Sequence, residues 1–228
     1  MILKDWEQLP EELQLDEVRP YYEILKKKKL SLILKRIFDI VVSLIMLIIL
    51  LPVFIFLGIA IKIDSKGPVF FRQERITQYG KTFKIFKFRT MVNNAEKLGT
   101  QVTVGNDARI TKVGKFIRDC RLDEIAQLLN ILTGDMTFVG TRPEVKKYVN
   151  YYTKEMMATL LLPAGVTSLA SIYYKDEAKL LDKSNNPDKT YVEEVLPGKM
   201  KYNLQSIREF NFFEDIKTML KTVVAVIK

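Results

Sequence analysis

Apolar positions in this chain fall into one long block and several short periodic runs, separated by basic stretches. Residues 1–34 are polar and mixed. Leu9, Leu13 and Val18 have loose helical spacing, which predicts a short surface helix ended by Pro20. Trp6, Tyr21 and Tyr22 suit a membrane interface or ordinary packing equally well. From Ile40 to Ile61 no charge occurs over about 22 residues, enough to cross a hydrocarbon core of about 30 Å. The block starts too far into the chain, runs too long and lacks the small-residue site of a cleavable signal peptide.

Two features bear on how this block meets a membrane. Pro52 lies near its middle, where it removes a backbone hydrogen bond and predicts a kink. Both flanks are basic: Lys26 to Lys29, Lys35 and Arg36 before it; Lys62, Lys66, Arg72 and Arg75 after it. The positive-inside rule keeps both on the cytoplasmic side. A kinked single-pass helix and a re-entrant helix bent at Pro52 both remain open on these residues alone.

After the block, residues 67–91 read as two short strands joined at Gln78-Tyr79-Gly80. Phe83, Ile85, Phe86 and Phe88 interleave with Lys81, Lys84, Lys87 and Arg89, a pattern that suits single-stranded nucleic acid or an anionic membrane surface. Met91 to Leu132 has a helical pattern, with Leu122, Ile125, Leu128, Leu129 and Leu132 on one face and Gly134 as terminator. Residues 133–143 form an expected loop, and Tyr148 to Leu162 an expected helix stopped by Pro163. "DKSNNPDKT" is an expected surface loop. The C-terminal "FFEDIKTMLKTVVAVIK" gathers Ile216, Met219, Leu220, Val223, Val224 and Ile227 on one face, which suits a headgroup layer or a core.

Composition narrows the chemistry. The chain has 228 residues, a formal charge of +9 and no histidine. Serine–histidine triads, histidine–cysteine pairs and histidine-ligated metals are excluded. The single cysteine, Cys120, can make no intrachain disulfide, and a small apolar filler is its bland reading beside a reactive thiolate. Acid, base and metal-ligand roles fall to carboxylates, Lys, Tyr or the single cysteine. Asp123 and Glu124, side by side at the head of an apolar-periodic run, are either first-turn carboxylates that favour a helix dipole or a catalytic pair. Asp135 suits loop amides or substrate equally.

The stretches "KRIFDIVVSL…LLPVF", "KIFKFRTM" and "RLDEIAQLLNILTGDMTFVGTRP" together resemble the bacterial sugar transferases, the monotopic phosphoglycosyl transferases, in their small form. The resemblance runs from about Lys35 to Gly165 and more loosely to the C-terminus. It implies an α/β, mostly α, fold: a re-entrant membrane helix, interfacial amphipathic helices and a small cytoplasmic catalytic domain with a short β-hairpin. The implied divisions are an N-terminal extension at 1–34, the membrane helix kinked near Pro52 at 35–64, and the catalytic domain at 65–228. Two departures stand out. Thr141 replaces the usual proline, and "LLPAGVTS" replaces R-P-G-I-T-G.

The same resemblance implies transfer of a sugar phosphate from a UDP-sugar to polyprenyl phosphate at the inner membrane, with Mg²⁺ and a covalent aspartyl phosphosugar. Asp123 matches the nucleophile and Glu124 its partner, both as metal ligands. Arg118 and Arg142 match phosphate-gripping arginines, and Lys87, Arg89, Gln73 and Arg75 are further candidates for that role. The acceptor, already an anion, needs no histidine base, and phosphoryl transfer depends on charge neutralisation and positioning. Membrane lipid is an expected partner, nucleic acid is not, and a homo-oligomer is left open. A single-pass module binding anionic lipid or nucleic acid is the competing reading, and a sugar transferase that releases UDP is a third.

Overall fold

The structure is a computed structural model and describes residues 3–93, 95, 107–182, 184 and 186–227. Two 3-10 turns, Trp6–Gln8 and Glu11–Leu13, lead into α1 (Arg19–Lys27) and the long α2 (Lys29–Asp64). β1 (Phe70–Ile76) and β2 (Thr82–Phe88) form the antiparallel hairpin, and α3 (Lys112–Asp119) follows. A 3-10 turn, Leu122–Gln127, runs into α4 (Leu128–Thr133), then β3 (Met136–Val139) and α5 (Lys146–Val149). Next come a 3-10 run, Met156–Leu161, β4 (Ala164–Thr167), α6 (Leu169–Tyr173), α7 (Glu177–Asp182) and α8 (Pro187–Thr190). A π-helical turn, Tyr191–Val195, opens into α9 (Leu196–Arg208), and α10 (Phe212–Ile227) ends the described chain.

α2 organises the rest. Its buried positions in the first half, Leu32, Lys35, Asp39 and Ser43, recur every three or four residues and make one stripe. Lys35 Nζ donates to the Val139 carbonyl at 2.7 Å and to Asp215 Oδ2 at 2.5 Å. Asp39 accepts from Thr137 Oγ1 at 2.8 Å and from the Phe138 amide at 3.2 Å. Arg36 donates to the carbonyls of Ile131 and Leu132, at the C-terminal end of α4. Further along, Leu47 and Leu50 pack with Phe83, Ile85, Leu128 and Ile131, and Leu57 and Ile61 pack with Phe88 and Ile117. The opposite face carries Ile37, Leu44, Ile48, Leu51, Ile55 and Ile59, all exposed. The helix continues through Pro52 as one 36-residue element.

The hairpin shows why its alternation was readable. Phe70 pairs with Phe88 and Ile76 with Thr82, and the turn places Tyr79 (φ 60) and Gly80 (φ 72) in the left-handed region. Phe83 and Ile85 lie on one face of β2 against α2 and α4. Phe86 and Phe88 lie on the other, in ring contact with Phe70. The outer edge of β2 does not stay open: Asn130 of α4 accepts from the Phe86 amide and donates to the Lys84 carbonyl.

Several expectations are corrected. Pro20 begins α1 instead of ending a helix, since its fixed φ and missing N–H suit a first turn. Leu9, Leu13 and Val18 do not lie on a surface helix but are buried with Leu161 and Ile207; of the two readings open for Trp6, Tyr21 and Tyr22, packing holds. Met91 bridges Ile110 in an isolated β-contact, and helix begins only at Lys112; the helical expectation for 94 and 96–106 lies outside the described residues. The expected loop at 133–143 contains β3, paired in parallel with β4. Tyr148 to Leu162 is not one helix: Ala158 to Leu162 are buried without a break, so no helical stripe exists there. Within "DKSNNPDKT", Pro187–Thr190 is helical, with the Asn186 side chain capping the Lys189 amide.

α10 has its polar side inward. Asp215 meets Lys35, Thr222 meets Thr167, and Phe213, Leu220, Val223 and Val224 face outward. Phe212 contacts Phe38 of α2, so the outward faces of α2 and α10 adjoin.

The β3–β4 pair depends on close approach of two glycines. A Cβ on Gly165 would lie 2.1 Å from the Gly140 amide nitrogen, whereas one on Gly58 would meet nothing closer than 3.7 Å. Gly165→Ala is therefore expected to destabilise by about 1–3 kcal/mol or more, and Gly58→Ala to be neutral or slightly stabilising. Thermal unfolding in detergent measures both, and equal midpoints would contradict the packing described.

Candidate active site

Four segments converge on one acidic pair. α3 ends at Asp119, and the chain reverses at Arg121, a non-glycine residue with φ 53. The following 3-10 turn buries Ala126 with Ile117 and Phe88. That anchoring turns Asp123 and Glu124 toward β2. Lys87 lies two residues beyond Ile85 on the same strand face, so the period-2 pleat carries its ammonium toward the turn. Arg142 arrives from the loop after β3.

Glu124 is gripped from both sides. Its Oε1 accepts from Lys87 Nζ at 3.0 Å and from Arg142 Nη2 at 2.6 Å. Burial works to raise its carboxyl, but the two cations outweigh burial and hold it far below the usual carboxylate range. Asp123 behaves oppositely: burial pushes it up and Glu124 adds to this, while Lys87 and Arg118 oppose. The Arg142 guanidinium is held above its ordinary value by Glu124, against burial, with Glu144 and Glu177 contributing. Neighbouring carboxylates driven apart in this way are a recurrent mark of divided chemical roles. The capping reading does not describe Glu124, whose side chain binds cations instead of backbone amides.

The other predicted residues separate. Arg118, in the last turn of α3, acts on Asp123 through space. Arg75 is half-buried; it donates to the Pro143 carbonyl at 3.2 Å and to Gln73 Oε1 at 2.7 Å, so this pair braces the loop that carries Arg142. Arg89 is corrected: only 5% exposed, it donates to the carbonyls of Ser65 and Lys66 at 2.7 Å each and closes the C-terminal end of α2. It lies just past the end of β2, where alternation no longer sets direction. Asp135 accepts from Thr133 and Asn130 side chains. Cys120 is exposed at the end of α3.

Sequence reasoning missed a buried cluster next to Arg142. Glu144 accepts from Tyr191 and lies 3.5 Å from Lys199 Nζ, which also pairs with Glu177 at 3.0 Å. The available signal was Glu144 itself, two residues beyond Arg142 in "TRPE". The aromatic hairpin residues a nucleic-acid surface would need exposed are largely covered, with Phe83, Ile85 and Phe88 buried.

Asp123 and Glu124 offer the oxygen donors a hard divalent cation takes. Among the described residues, no group of three or more acidic or cysteine side chains could hold a metal alone. Two carboxylates fit an ion that draws its remaining ligands from substrate phosphate and water.

The sequence model described as bacterial sugar transferase matches residues 30–228. The UDP-glucose:undecaprenyl-phosphate glucose-1-phosphate transferase of Escherichia coli (strain K12) is 36% identical over 196 residues, covering 84% of this chain and 39% of that protein. The UDP-N-acetylgalactosamine-undecaprenyl-phosphate N-acetylgalactosaminephosphotransferase of Aeromonas hydrophila is 31% identical over 193 residues, 83% of this chain and 43% of the relative. An uncharacterized sugar transferase, EpsL, of Bacillus subtilis (strain 168) is 31% identical over 192 residues, 84% of this chain and 86% of the relative. The chain thus spans about two fifths of the first two and most of the third.

Arg89→Met removes the donors to the Ser65 and Lys66 carbonyls just past the end of α2. It is expected to lower stability by about 1–3 kcal/mol, since partly buried acceptors lose a charged donor. An unchanged thermal midpoint would show that the guanidinium does not hold that helix end.

Proposed function

The chain belongs to the bacterial sugar transferase family, and from that premise we propose that it transfers a sugar phosphate from a UDP-sugar to polyprenyl phosphate at the cytoplasmic face of a bacterial inner membrane. The observation that carries this reading is the order Lys87–Glu124–Arg142 beside Asp123. It sets one tightly ionised carboxylate and two cations around a second carboxylate that makes no ion pair among the described residues. Phosphoryl transfer asks for this combination: cations for the diphosphate and a reachable nucleophile. Two relatives named for undecaprenyl-phosphate sugar-phosphate transfer supply the substrate class.

The Asp123 carboxylate attacks the sugar-bearing phosphorus. The phosphoanhydride bond breaks, UMP leaves, and an acyl phosphosugar remains on Asp123. An oxygen of polyprenyl phosphate then attacks the same phosphorus, forming the polyprenyl diphosphate sugar and restoring the carboxylate. The bond from sugar to oxygen is untouched throughout. Arg142 and Arg118 steady phosphate oxygens, Lys87 offsets charge at the pair, and Glu124 keeps Arg142 and Lys87 in place. Mg²⁺, held by Asp123 and Glu124, would supply further neutralisation of the diphosphate.

The membrane part of the reading rests on where the ends of α2 lie. Lys35 and Arg36 bond to β3 and α4, while Asp64 accepts from the Val113 amide and Arg89 caps the far carbonyls. Both ends are tied to one globular body. A straight crossing would separate them by about 30 Å of hydrocarbon. A re-entrant path bent at Pro52 leaves both basic flanks on one side, and the adjoining outward face of α10 lies in the headgroup layer beside it.

Asp123→Asn is expected to abolish turnover, because an amide is no nucleophile, and Glu124→Gln to be severe. With the correct UDP-sugar, Mg²⁺ and no lipid, the wild type should release up to about one UMP per site and gain one sugar phosphate on Asp123. Rapid quenching and intact mass test this. Normal turnover with UMP appearing only when lipid is present, and never an adduct, would remove the covalent step.

For topology, cysteines replacing Lys4 and Lys221 in a Cys120→Ser background are expected to resist impermeant thiol reagents in intact cells and to react once the inner membrane is opened. Labelling of one site from outside would instead place the two ends on opposite sides.

A further inference from the structure

Behind the proposed phosphate-binding arginine lies a charge cluster that the reaction above does not use. Glu144, Tyr191 and Lys199 are each less than 9% exposed. The Tyr191 hydroxyl donates to Glu144 Oε1. Lys199 Nζ donates to the Tyr191 hydroxyl at 3.1 Å, reaches Glu144 at 3.5 Å and pairs with Glu177 at 3.0 Å. The Tyr148 ring lies 4.5 Å from that of Tyr191, tilted by 44°. Tyr191 opens the π-helical turn, an irregularity that redirects a helix and recurs at functional sites.

The cluster holds one end of the loop that carries Arg142. On one side of that loop, the Ile76 amide donates to the Glu144 carbonyl at 2.9 Å and Arg75 donates to that of Pro143. On the other, the Glu144 side chain is anchored to Tyr191 and Lys199. Arg142 itself is 41% exposed at its side chain, and its hydrogen bond is to Glu124. Charges alternate from Lys87 through Glu124 and Arg142 to Glu144 and Glu177, then Lys199. A buried ion pair adds little net stability over apolar packing of the same size. Stability alone is therefore a poor account of this cluster, and orientation of the neighbouring cation is a better one.

We propose that Glu144, Tyr191 and Lys199 are positioning residues that fix Arg142 against Glu124, so that the segment from α7 to the start of α9 sets how the donor diphosphate is gripped without touching it. The kinetic side rests on the proposed phosphosugar transfer; the positional side does not.

Two measurements on the full chain test it. In the first, wild type, Glu144→Gln and Tyr191→Phe are treated with phenylglyoxal, and modification of Arg142 is followed by peptide mass mapping. Faster modification in both variants, with thermal midpoints confirming that they fold, is expected. An unchanged rate overturns the proposal whether or not any UDP-sugar is turned over. The second uses UMP release. Glu144→Gln should lower donor kcat/KM about tenfold in the wild-type background and leave it unchanged in an Arg142→Ala background, because one residue acts through the other. Lys199→Arg should keep most of the activity that Lys199→Met loses. Losses that simply multiply in the double variant would make the cluster an independent stabiliser and overturn the proposal. A wild type that releases no UMP from any UDP-sugar defeats the reaction assigned above, and the labelling result then decides positioning by itself.

Discussion

A helix with two incompatible faces is the constraint from which the rest of this molecule follows. One side of α2 carries Lys35, Asp39 and Ser43 at turn spacing, and these polar groups must find protein partners because they are buried. The other side is a run of isoleucine and leucine left exposed by the described residues. Meeting the first demand draws β3, α4 and α10 onto the helix through specific hydrogen bonds. The hairpin then fills the space along the second half, and Arg89 secures the far end. The acidic pair is a consequence: α4 and the turn before it are pinned by Arg36 and by packing on β2, which leaves Glu124 opposite Lys87.

The site itself is economical in contacts. One carboxylate oxygen, Glu124 Oε1, joins a strand, a turn and a loop that are 37 and 18 residues apart in sequence. Its strongly favoured ionisation is the electrostatic result of that crowding. It leaves Asp123 the less stabilised anion of the two. A nucleophile benefits from being the partner whose charge is least satisfied by its own protein.

Local periodicity made much of this legible and distance in sequence hid the rest. The hairpin, its turn at Tyr79-Gly80, the stop at Gly134 and the C-terminal helix all leave period-2 or period-3.6 traces within a few residues. Asp123, Glu124, Lys87 and Arg142 were legible only through the resemblance of their motifs to a family, and the fold brings them together. β3 and β4 are four residues each and pair in parallel across a long connection, so neither shows alternation enough to be seen alone. In the run before Pro163, residues 158–162 are all buried, so the apolar positions there carry no one-sided stripe from which a helix could be read. Arg89 and Lys87 are indistinguishable by composition; only the end of β2 between them sends one to Glu124 and the other to the α2 carbonyls. Glu144 was invisible as a site residue because its partners, Tyr191 and Lys199, lie 47 and 55 residues away.

The contact between Lys35 and Asp215 spans 180 residues. On a ribosome, Lys35 emerges 180 residues ahead of Asp215. While that stretch is being made, the Lys35 ammonium has no Asp215 to meet, and β3, its other partner, is also still to come. The apolar helix therefore exists before the groups that bind its polar stripe. The order of synthesis separates the helix from its fastening, and α10 closes the latch behind it.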